Sequence, residues 1–285
     1  MPQNTVQPVH EVHLIEEFHQ AQPKPPLARD ELREAIVLAL WAGQLLLQHG
    51  AESDRVEETV HRLGTGMGCD WMDILVSPNA VVATTISGGE FRTKLRRVPV
   101  LGVNMTIVDA INTLSRQVSR GELNRAQVRT ELRRISAIKP RYNRWVVVLM
   151  VGLACAAFSR LFGGTWPIFG VTFGSAAIAM FVRQELTRRH FNLLMVVTLT
   201  AFVGGLSASS AVLLQLHYDP EITRIPLVAS VLLLVPGVPL INAIEDLIKG
   251  HMVAGVARGM TGLLISLSIA LGLLLAMWVV GVGAL

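Results

Sequence analysis

The chain has 285 residues, of which 51% are hydrophobic and 16% charged, with a formal net charge of +4 and a mean hydropathy of +0.48. A soluble domain usually carries about 25% charged residues, so the composition excludes an ordinary soluble protein. Residues 1–140 hold 16 of the 25 Lys and Arg and 16 of the 21 Asp and Glu. The net positive charge therefore comes from the apolar half. This argues against nucleic-acid binding, which needs bases clustered on a polar face.

The first 28 residues are polar and are predicted to form a disordered tail without the apolar segment of a signal peptide. Metal binding is not expected of the histidines in this tail, because no rigid scaffold surrounds them: His10, His13 and His19. Cys69 and Cys155 are too few and too far apart for a disulfide framework or a zinc site. The sequence thus predicts no metal and no cofactor.

Residues 29–140 are predicted to form a small cytoplasmic α+β domain of order α-α-β-β-β-α-α. Apolar residues recur at helical spacing in the first segment, and Ser53 is the predicted N-cap of the second helix, with Glu57 near the capping-box position. Short β-rich runs separated by turn signals then predict an antiparallel meander. Asn104 and Asn124 are predicted to cap the last two helices. The predicted helices are 29–49, 53–63, 104–120 and 124–138, and the predicted strands are 72–77, 80–86 and 90–98.

A hydrolase is the alternative that this domain raises, because Ser53, Asp54 and His61 are the residue types of a nucleophile, an acid and a base. Ser53 and His61 are, however, eight residues apart on one predicted helix, which separates them by about 12 Å along its axis. They cannot touch on such a helix, so we expect no enzymatic activity.

Residues 141–285 are predicted to form a membrane domain of five helices, since crossing the hydrocarbon takes about 20 helical residues. The first segment is short, and it needs the next three residues to complete a crossing, with Arg160 reaching the far interface. The five predicted spans are 145–158, 161–182, 191–216, 225–244 and 259–285.

The bases that flank these spans predict an orientation with the N-terminus in the cytoplasm and the C-terminus outside. One side would carry eight bases, and the other only two, Arg160 and Arg224. The eight are Lys139, Arg141, Arg144, Arg183, Arg188, Arg189, Lys249 and Arg258.

The fourth span contains the strongest local signal, since Pro236, Gly237 and Pro239 interrupt an apolar segment. Proline removes a backbone donor and breaks a helix, and unwound backbone at membrane depth marks the binding site of many transporters. Asn242 and Asp246 follow, four residues apart and therefore on one helical face. The alternative is a structural kink followed by acids at the membrane interface.

Ser207, Ser209 and Ser210 are predicted to lie in the middle of the third span. Two interpretations stay open for their hydroxyls. They could form hydrogen bonds between helices, or they could line a polar pathway, for which Ser207 and Ser210 are the candidates.

Taken in order, several short motifs resemble the N-terminal, five-span half of the threonine/serine exporter family. One is Glu52-Ser53-Asp54-Arg55-Val56-Glu57, and Arg97 and Asn104 follow later in the same domain. The most specific is Pro236-Gly237-Val238-Pro239-Leu240-Ile241-Asn242-Ala243, with Asp246, Gly250, Gly255 and Arg258 behind it. The resemblance covers about residues 30–280.

This resemblance implies a secondary exporter of small polar metabolites that is driven by the proton-motive force, in the bacterial inner membrane. Some members fuse this half to a second membrane half. Others encode that half as a small separate subunit, an arrangement linked also to succinate export. The chain is thus expected to pair with a second small membrane subunit; whether it also forms a homo-oligomer is left open.

The leading hypothesis is a subunit that exports a threonine/serine-type amino acid or a dicarboxylate across the lipid bilayer. Asn242 would orient the substrate, and Asp246 or Glu245 would carry the coupling proton, because a carboxylate in a low-dielectric site can take up a proton near neutrality. Arg258 would pair with that acid or with a substrate carboxylate. The alternatives are a membrane-anchored hydrolase-like enzyme and a membrane subunit with a structural or regulatory role only.

Overall fold

The computed structural model describes residues 24–98, 102–138, 142–213 and 220–281, which are mostly helical. They fall into two compact units. The first comprises Met1–Ile138 and Ile241–Arg258, and the second comprises Lys139–Leu240 and Gly259–Leu285. The sequence predicted a domain boundary near residue 140, and the contacts add Ile241–Arg258 to the amino-terminal unit. Most of the predicted tail lies outside the described residues.

The first unit has the predicted order of elements, two helices, three strands and two helices, in the part of residues 24–138 that the structure describes. The helices are α1 (Arg29–Gln48), α2 (Ser53–Gly66), α3 (Met105–Ser119) and α4 (Arg125–Ser136), and the strands are β1 (Trp71–Ser77), β2 (Ala80–Ser87) and β3 (Glu90–Arg97).

The three strands form an antiparallel meander of order β1-β2-β3. Ser77 pairs with Ala80 across the first turn, and Ser87 pairs with Glu90 across the second. Each turn has two residues, and the second uses Gly88 and Gly89, both with positive φ. Type I′ hairpin turns need positive φ at both central residues, which glycine adopts without strain. The predicted turn signals are confirmed.

Helix α1 is the centre of the first unit, and most of its length is buried. It packs against α2, α3, α4 and the sheet. Burying one Leu or Ile side chain contributes about 1.5–3 kcal/mol, so this helix supplies much of the stability of the unit. Its largest fully buried side chains are Leu32, Ile36, Leu38, Leu40, Leu46 and Leu47.

The predicted caps of the last two helices are confirmed, and the cap of α2 is not. Asn104 accepts a hydrogen bond from the Thr106 amide at 3.2 Å, and Asn124 forms a capping box with Gln127. The N-cap of α2 is Glu52 rather than Ser53, and its side chain makes no capping hydrogen bond. The first amides of α2 are therefore left for another acceptor.

The second unit and the helices continuous with it are apolar. They are α5 (Arg144–Leu161), α6 (Trp166–Arg188), α7 (Leu193–Ala208), α8 (Ser210–Leu213), α9 (Pro220–Val231), a 3₁₀ turn (Leu232–Leu234), α10 (Gly237–Ile248) and α11 (Met252–Val280). By length and composition α5, α6 and α11 could each cross a membrane. The segments Arg224–Leu234 and Gly237–Ile248, bent by 59°, could together form a fourth span.

Helix α7 ends at Ala208, and the short helix α8 follows after one residue; the predicted end of the third span near residue 216 lies outside the described residues. The serines lie at its C-terminal end and not at its middle. Hydroxyls that bond to carbonyls of their own helix compete with the backbone pattern: Ser207 donates to Val203 O at 2.8 Å and Ser209 donates to Gly205 O at 2.9 Å. Helix α7 has 16 residues and is a shorter apolar helix. The count of five spans stays a prediction.

The first apolar helix reaches Leu161, as the sequence required, and Arg160 lies in its last turn. The Arg160 guanidinium donates to Gly164 O and lies 4.7 Å from the centre of the Trp166 ring. The hairpin between α5 and α6 is therefore held by Arg160, which the sequence predicted at a membrane interface, and by Trp166.

Candidate functional site

The candidate site lies in the first unit, where the second half of α10 and the first turns of α11 form a short helical hairpin. Gly250 joins them with a φ of +87°, and the His251 amide donates to Asp246 O at 2.8 Å. A Cβ at Gly255 would lie 2.9 Å from Ala243 O, which is backbone. Only glycine fits there, so Gly250 and Gly255 bring the two arms of the hairpin together.

Asp246 is the centre of the site and has no exposed surface. Its Oδ1 accepts from the Ser53 amide at 2.9 Å, and its Oδ2 accepts from the Ser53 hydroxyl at 3.2 Å. The first amides of a helix lack intrahelical partners and carry a partial positive charge. Asp246 therefore caps α2 from 193 residues away, in the position that the Glu52 side chain leaves open.

Arg258 supplies the opposite charge to Asp246. Its Nη1 lies 3.0 Å from Asp246 Oδ2, a contact of charges rather than an aligned hydrogen bond, and its side chain is 11% exposed. Its Nη2 donates to Ala51 O at 3.0 Å. The sequence left open whether Arg258 pairs with the acid or with a substrate, and in this structure it pairs with the acid.

Asn242 completes the inner set of contacts, since its side-chain amide donates to Gly50 O at 2.8 Å. Asn242 and Asp246 share one face of α10, as their spacing predicted. Three side chains of the hairpin thus bind residues at the start of α2 or just before it. Gly50 O binds Asn242, Ala51 O binds Arg258, and Ser53 binds Asp246.

A ring of exposed charges surrounds this buried set. Lys249 donates to both Asp54 and Glu245 at 2.8 Å, and these hydrogen bonds raise the pKa of the Lys249 ammonium. Surface pairs of this kind are worth about 0–1 kcal/mol. Glu245 is 38% exposed, so the two adjacent acids differ. Asp246 is sealed inside, and Glu245 is at the surface.

Glu57 and His251 form a further pair at the edge of the site, with Glu57 Oε1 3.5 Å from His251 Nδ1. Burial raises the pKa of the Glu57 carboxyl, and the neighbouring His251 opposes this. Within the same motif, Arg55 donates to Glu52 at 2.7 Å, and this hydrogen bond raises the pKa of the Arg55 guanidinium. The Glu52–Glu57 motif therefore faces the hairpin through Ser53, Asp54 and Glu57.

The remaining candidates do not join this cluster. Arg97 is exposed at the end of β3. Asn104 caps α3 with its side chain, and its backbone amide donates to His49 O at 3.1 Å. The hydroxyls of Ser207 and Ser210 donate to carbonyls of their own helical segment. Among the described residues these are the contacts of the two hydroxyls, and both interpretations of the serines stay predictions.

Pro236, Gly237 and Pro239 belong to the second unit and mark the break between the 3₁₀ turn and α10. The Val235 amide donates to Leu232 O at 3.2 Å and the Gly237 amide donates to Val235 O at 2.9 Å, which are not the bonds of a continuous α-helix. Pro236 has no amide hydrogen to offer. The predicted interruption of the fourth apolar segment is confirmed.

The residue types of a hydrolase are not assembled. The Ser53 hydroxyl donates to Asp246, and His61 Nδ1 contacts Met72 O at 2.8 Å. Among the described residues no group of three His, Cys, Asp or Glu side chains could hold a metal ion.

Sequence reasoning missed the contact of Asp246 with Ser53, because local spacing says nothing about a partner so distant in the chain. It found both residues, on separate motifs. The signal that could have joined them is a helix start at Ser53 with no capping side chain before it, together with an acid within an apolar segment.

A sequence model of a membrane transporter family, described as "Putative threonine/serine exporter", matches residues 37–280. The chain belongs to this threonine/serine exporter family. It is 41% identical over 250 residues to a Klebsiella aerogenes protein and 39% identical over 253 residues to an Escherichia coli K12 protein, both named "Probable succinate transporter subunit YjjP". These alignments cover 87% and 88% of the chain and 95% and 97% of the two relatives.

A "Threonine/serine exporter" of Corynebacterium glutamicum is 23% identical over 262 residues, which are 88% of the chain and 54% of that protein. No solved structure matches the chain. The family and the names of the relatives indicate a transporter and not an enzyme. Together with the long apolar helices they identify a membrane transport protein.

Proposed function

We propose that this chain is one subunit of a secondary exporter in the bacterial inner membrane that uses the proton-motive force. Its cargo is a small carboxylate metabolite, either an amino acid of the threonine/serine type or a dicarboxylate such as succinate. The first unit up to residue 138 lies in the cytoplasm, five spans cross the bilayer, and the C-terminus lies outside. The names of the relatives support both kinds of substrate.

The completing part of the transporter is a second, small membrane subunit. The chain covers nearly all of the relatives that are named subunits, and only 54% of the Corynebacterium glutamicum exporter. The remaining half of that longer protein is the part that this chain would obtain from a partner. Further copies of the chain are compatible with this arrangement.

The observation that carries the proposal is the fully buried Asp246 carboxylate against Arg258, directly behind the interrupted apolar segment. A buried ion pair costs more desolvation than it commonly returns, so stability alone does not explain it. Ionisable residues in apolar segments are typical of proton and substrate pathways.

The pair suggests how a proton could control the binding of a substrate. A proton that binds Asp246 Oδ2 neutralises the carboxylate and weakens its attraction for Arg258. The Arg258 guanidinium is then available for the carboxylate of a substrate, whose planar geometry it matches. When the proton leaves Asp246, its carboxylate again competes with the substrate for the same guanidinium. The protonation of Asp246 would therefore decide whether Arg258 can hold the substrate.

Other residues take supporting roles in this proposal. Asn242 orients the substrate when it exchanges Gly50 O for a substrate oxygen. The interruption at Pro236, Gly237 and Pro239 frees main-chain groups of the fourth apolar segment for the transport pathway. Ser207 and Ser210 supply hydroxyl oxygens to a polar pathway. Glu245 collects protons at the surface.

The decisive experiment is uptake into proteoliposomes that contain the chain alone, its partner alone or both, with succinate, threonine and serine and an imposed pH gradient. We expect transport only with both subunits and only with the gradient. Asp246→Asn should abolish the gradient-driven component while the protein still folds, because the amide keeps the size and cannot carry the proton. Glu131→Gln, at a half-exposed position of α4 away from the Asp246–Arg258 pair in sequence, is the matched control and should transport normally.

Each other result has a definite meaning. Gradient-driven transport by the Asp246→Asn variant would remove Asp246 from the proton pathway. Loss of transport in Glu245→Gln alone would move the proton site to the surface acid. Full transport by the partner alone would leave this chain a structural or regulatory role.

A further inference from the structure

Arg183 lies in a helix of the second unit. From its place just after the second predicted span, the sequence had suggested a loop. It belongs to α6, five residues before the helix ends at Arg188. At 1.5 Å per residue this places its Cα about 7.5 Å from the end of the helix. Unlike Arg188 and Arg189, which are exposed, Arg183 is part-buried.

The Arg183 side chain points to the interrupted segment. Its Nη1 donates to Leu233 O at 3.1 Å, and α5, which carries the buried Cys155, packs against the same 3₁₀ turn. In a continuous helix Leu233 O would accept from the amide of residue 237. The Gly237 amide donates to Val235 O instead, so the interruption frees the carbonyl that Arg183 binds.

The positive charge of Arg183 has no acidic partner among the described residues of this unit. The nearest acid in sequence, Glu185, pairs with Arg144 at 3.7 Å and with Arg189 at 3.1 Å. A guanidinium has five N–H donors, and Leu233 accepts from one. None of the Arg183 nitrogens is both buried and without a hydrogen-bond partner among the described residues.

An arginine without a counter-charge is costly among apolar helices, and such residues commonly mark a substrate or ion pathway. A plain structural role would need only one neutral donor for Leu233 O. The guanidinium offers in addition a fixed pair of N–H groups that fit a carboxylate. The Leu233 contact fixes the orientation of this fork.

We propose that Arg183, held by Leu233 at the interruption, binds a carboxylate group of the exported metabolite. This inference rests on the proposed export function. It places a site for the carboxylate of the exported metabolite in the second unit, in addition to the Asp246–Arg258 pair of the first. An α-carboxylate of an amino acid and a terminal carboxylate of a dicarboxylate offer the same chemistry to the guanidinium. Succinate and threonine are therefore both tested.

The test is equilibrium binding of radiolabelled succinate and of radiolabelled threonine to membranes that contain the chain and its partner, without a pH gradient. Arg183→Gln keeps a neutral donor for Leu233 O and removes the charge, and Arg183→Lys keeps the charge and removes the fork. We expect Arg183→Gln to weaken binding of the true substrate at least tenfold and Arg183→Lys to fall between it and the wild type. Arg188→Gln, on the exposed end of the same helix, should bind as the wild type does.

The thiol of Cys155 reports whether the interruption itself survives the substitution. In a Cys69→Ser background it is the only thiol of the chain, and it is buried on α5, which packs against the 3₁₀ turn. We expect it to resist maleimide equally in the wild type and in Arg183→Gln. Wild-type affinity in Arg183→Gln would overturn the proposal, and so would weaker binding accompanied by exposure of Cys155. Because binding is measured without a gradient, a failure of proton-driven transport leaves this result intact.

Discussion

The two units of the molecule bury opposite kinds of side chain. Of the twelve largest fully buried side chains, eleven belong to the first unit and only Ile168 to the second. The fully buried residues of the second unit are otherwise small: Ala156, Ser159, Thr172, Ala176, Ala179, Thr200, Ala201, Ala208, Ser209, Ala211, Ala229, Ser230 and Ala276. Large apolar side chains such as Leu274 are exposed there.

This difference follows from the solvent that each unit has evolved in. In water, removing large apolar side chains from the surface is the main driving force of folding. In lipid that force is absent between helices, and close contact of small residues takes its place. The first unit therefore folds around large residues, and the second brings its helices together along small ones.

Removing a large buried side chain from the first unit should have the largest effect on stability and tests this comparison directly. Leu46→Ala should destabilise that unit by about 2–5 kcal/mol, because it loses apolar burial and leaves a cavity. Leu274→Ala removes an exposed side chain of α11, 59% accessible, and should change the second unit little.

Each unit carries one buried cysteine, and its exposure on heating measures the unfolding of that unit. Burial raises the pKa of the Cys69 thiol, which adds to its protection in the folded state. Cys69 reports the first unit in a Cys155→Ser background, and Cys155 reports the second in a Cys69→Ser background. If Leu274→Ala cost as much stability as Leu46→Ala, the second unit would be held together by large apolar side chains, as the first unit is.

An added methyl group should have the next largest effect, and it should act in the second unit. A Cβ at Gly272 would lie 2.4 Å from Thr198 O and 2.9 Å from Phe202 N, both backbone atoms of α7. Gly272→Ala should therefore separate the helices and cost about 1–3 kcal/mol, more than alanine returns in helix propensity, about 1 kcal/mol.

Gly174→Ala is the matched substitution, because nothing lies within 4 Å of a Cβ at that position. It should leave the second unit as stable as the wild type or slightly more so. The temperature at which Cys155 becomes reactive measures both variants. If Gly272→Ala were neutral, small-residue contact would not hold α11 in place.

Local features of both units could be predicted from the sequence. The order of elements in the first unit, the caps at Asn104 and Asn124 and the interruption at Pro236 each depend on a few neighbouring residues. Long-range features could not be predicted. Asp246 replaces a local cap of α2 although it lies far away in the chain. Arg183 binds a carbonyl that is free of a helical partner only because another helix is interrupted.

The candidate site divides in the same way. Asn242, Asp246 and Arg258 were found because their spacing and residue types are unusual in apolar sequence, and their contacts confirm that they lie together. The choice between Asp246 and Glu245 needed burial, which differs between them although they are adjacent. The serines were misplaced because the end of α7 depends on hydroxyl contacts with its own carbonyls.

The smallest effect concerns Glu57, a half-buried acid in the first unit. Burial raises the pKa of Glu57 above its ordinary value of 4.5, so just above pH 4.5 the folded state holds this proton more tightly than the unfolded state does. The stabilisation from this proton is complete below the ordinary value and is lost as the pH rises through the raised pKa.

Glu57→Gln should remove this part of the pH dependence. The unfolding temperature of the Cys69 reporter, measured from about pH 4.5 upwards, should therefore fall less with pH in Glu57→Gln than in the wild type. Glu58→Gln, its exposed neighbour, is the control and should keep the slope of the wild type. Equal slopes in all three proteins would show that the Glu57 proton does not contribute to the stability of the first unit.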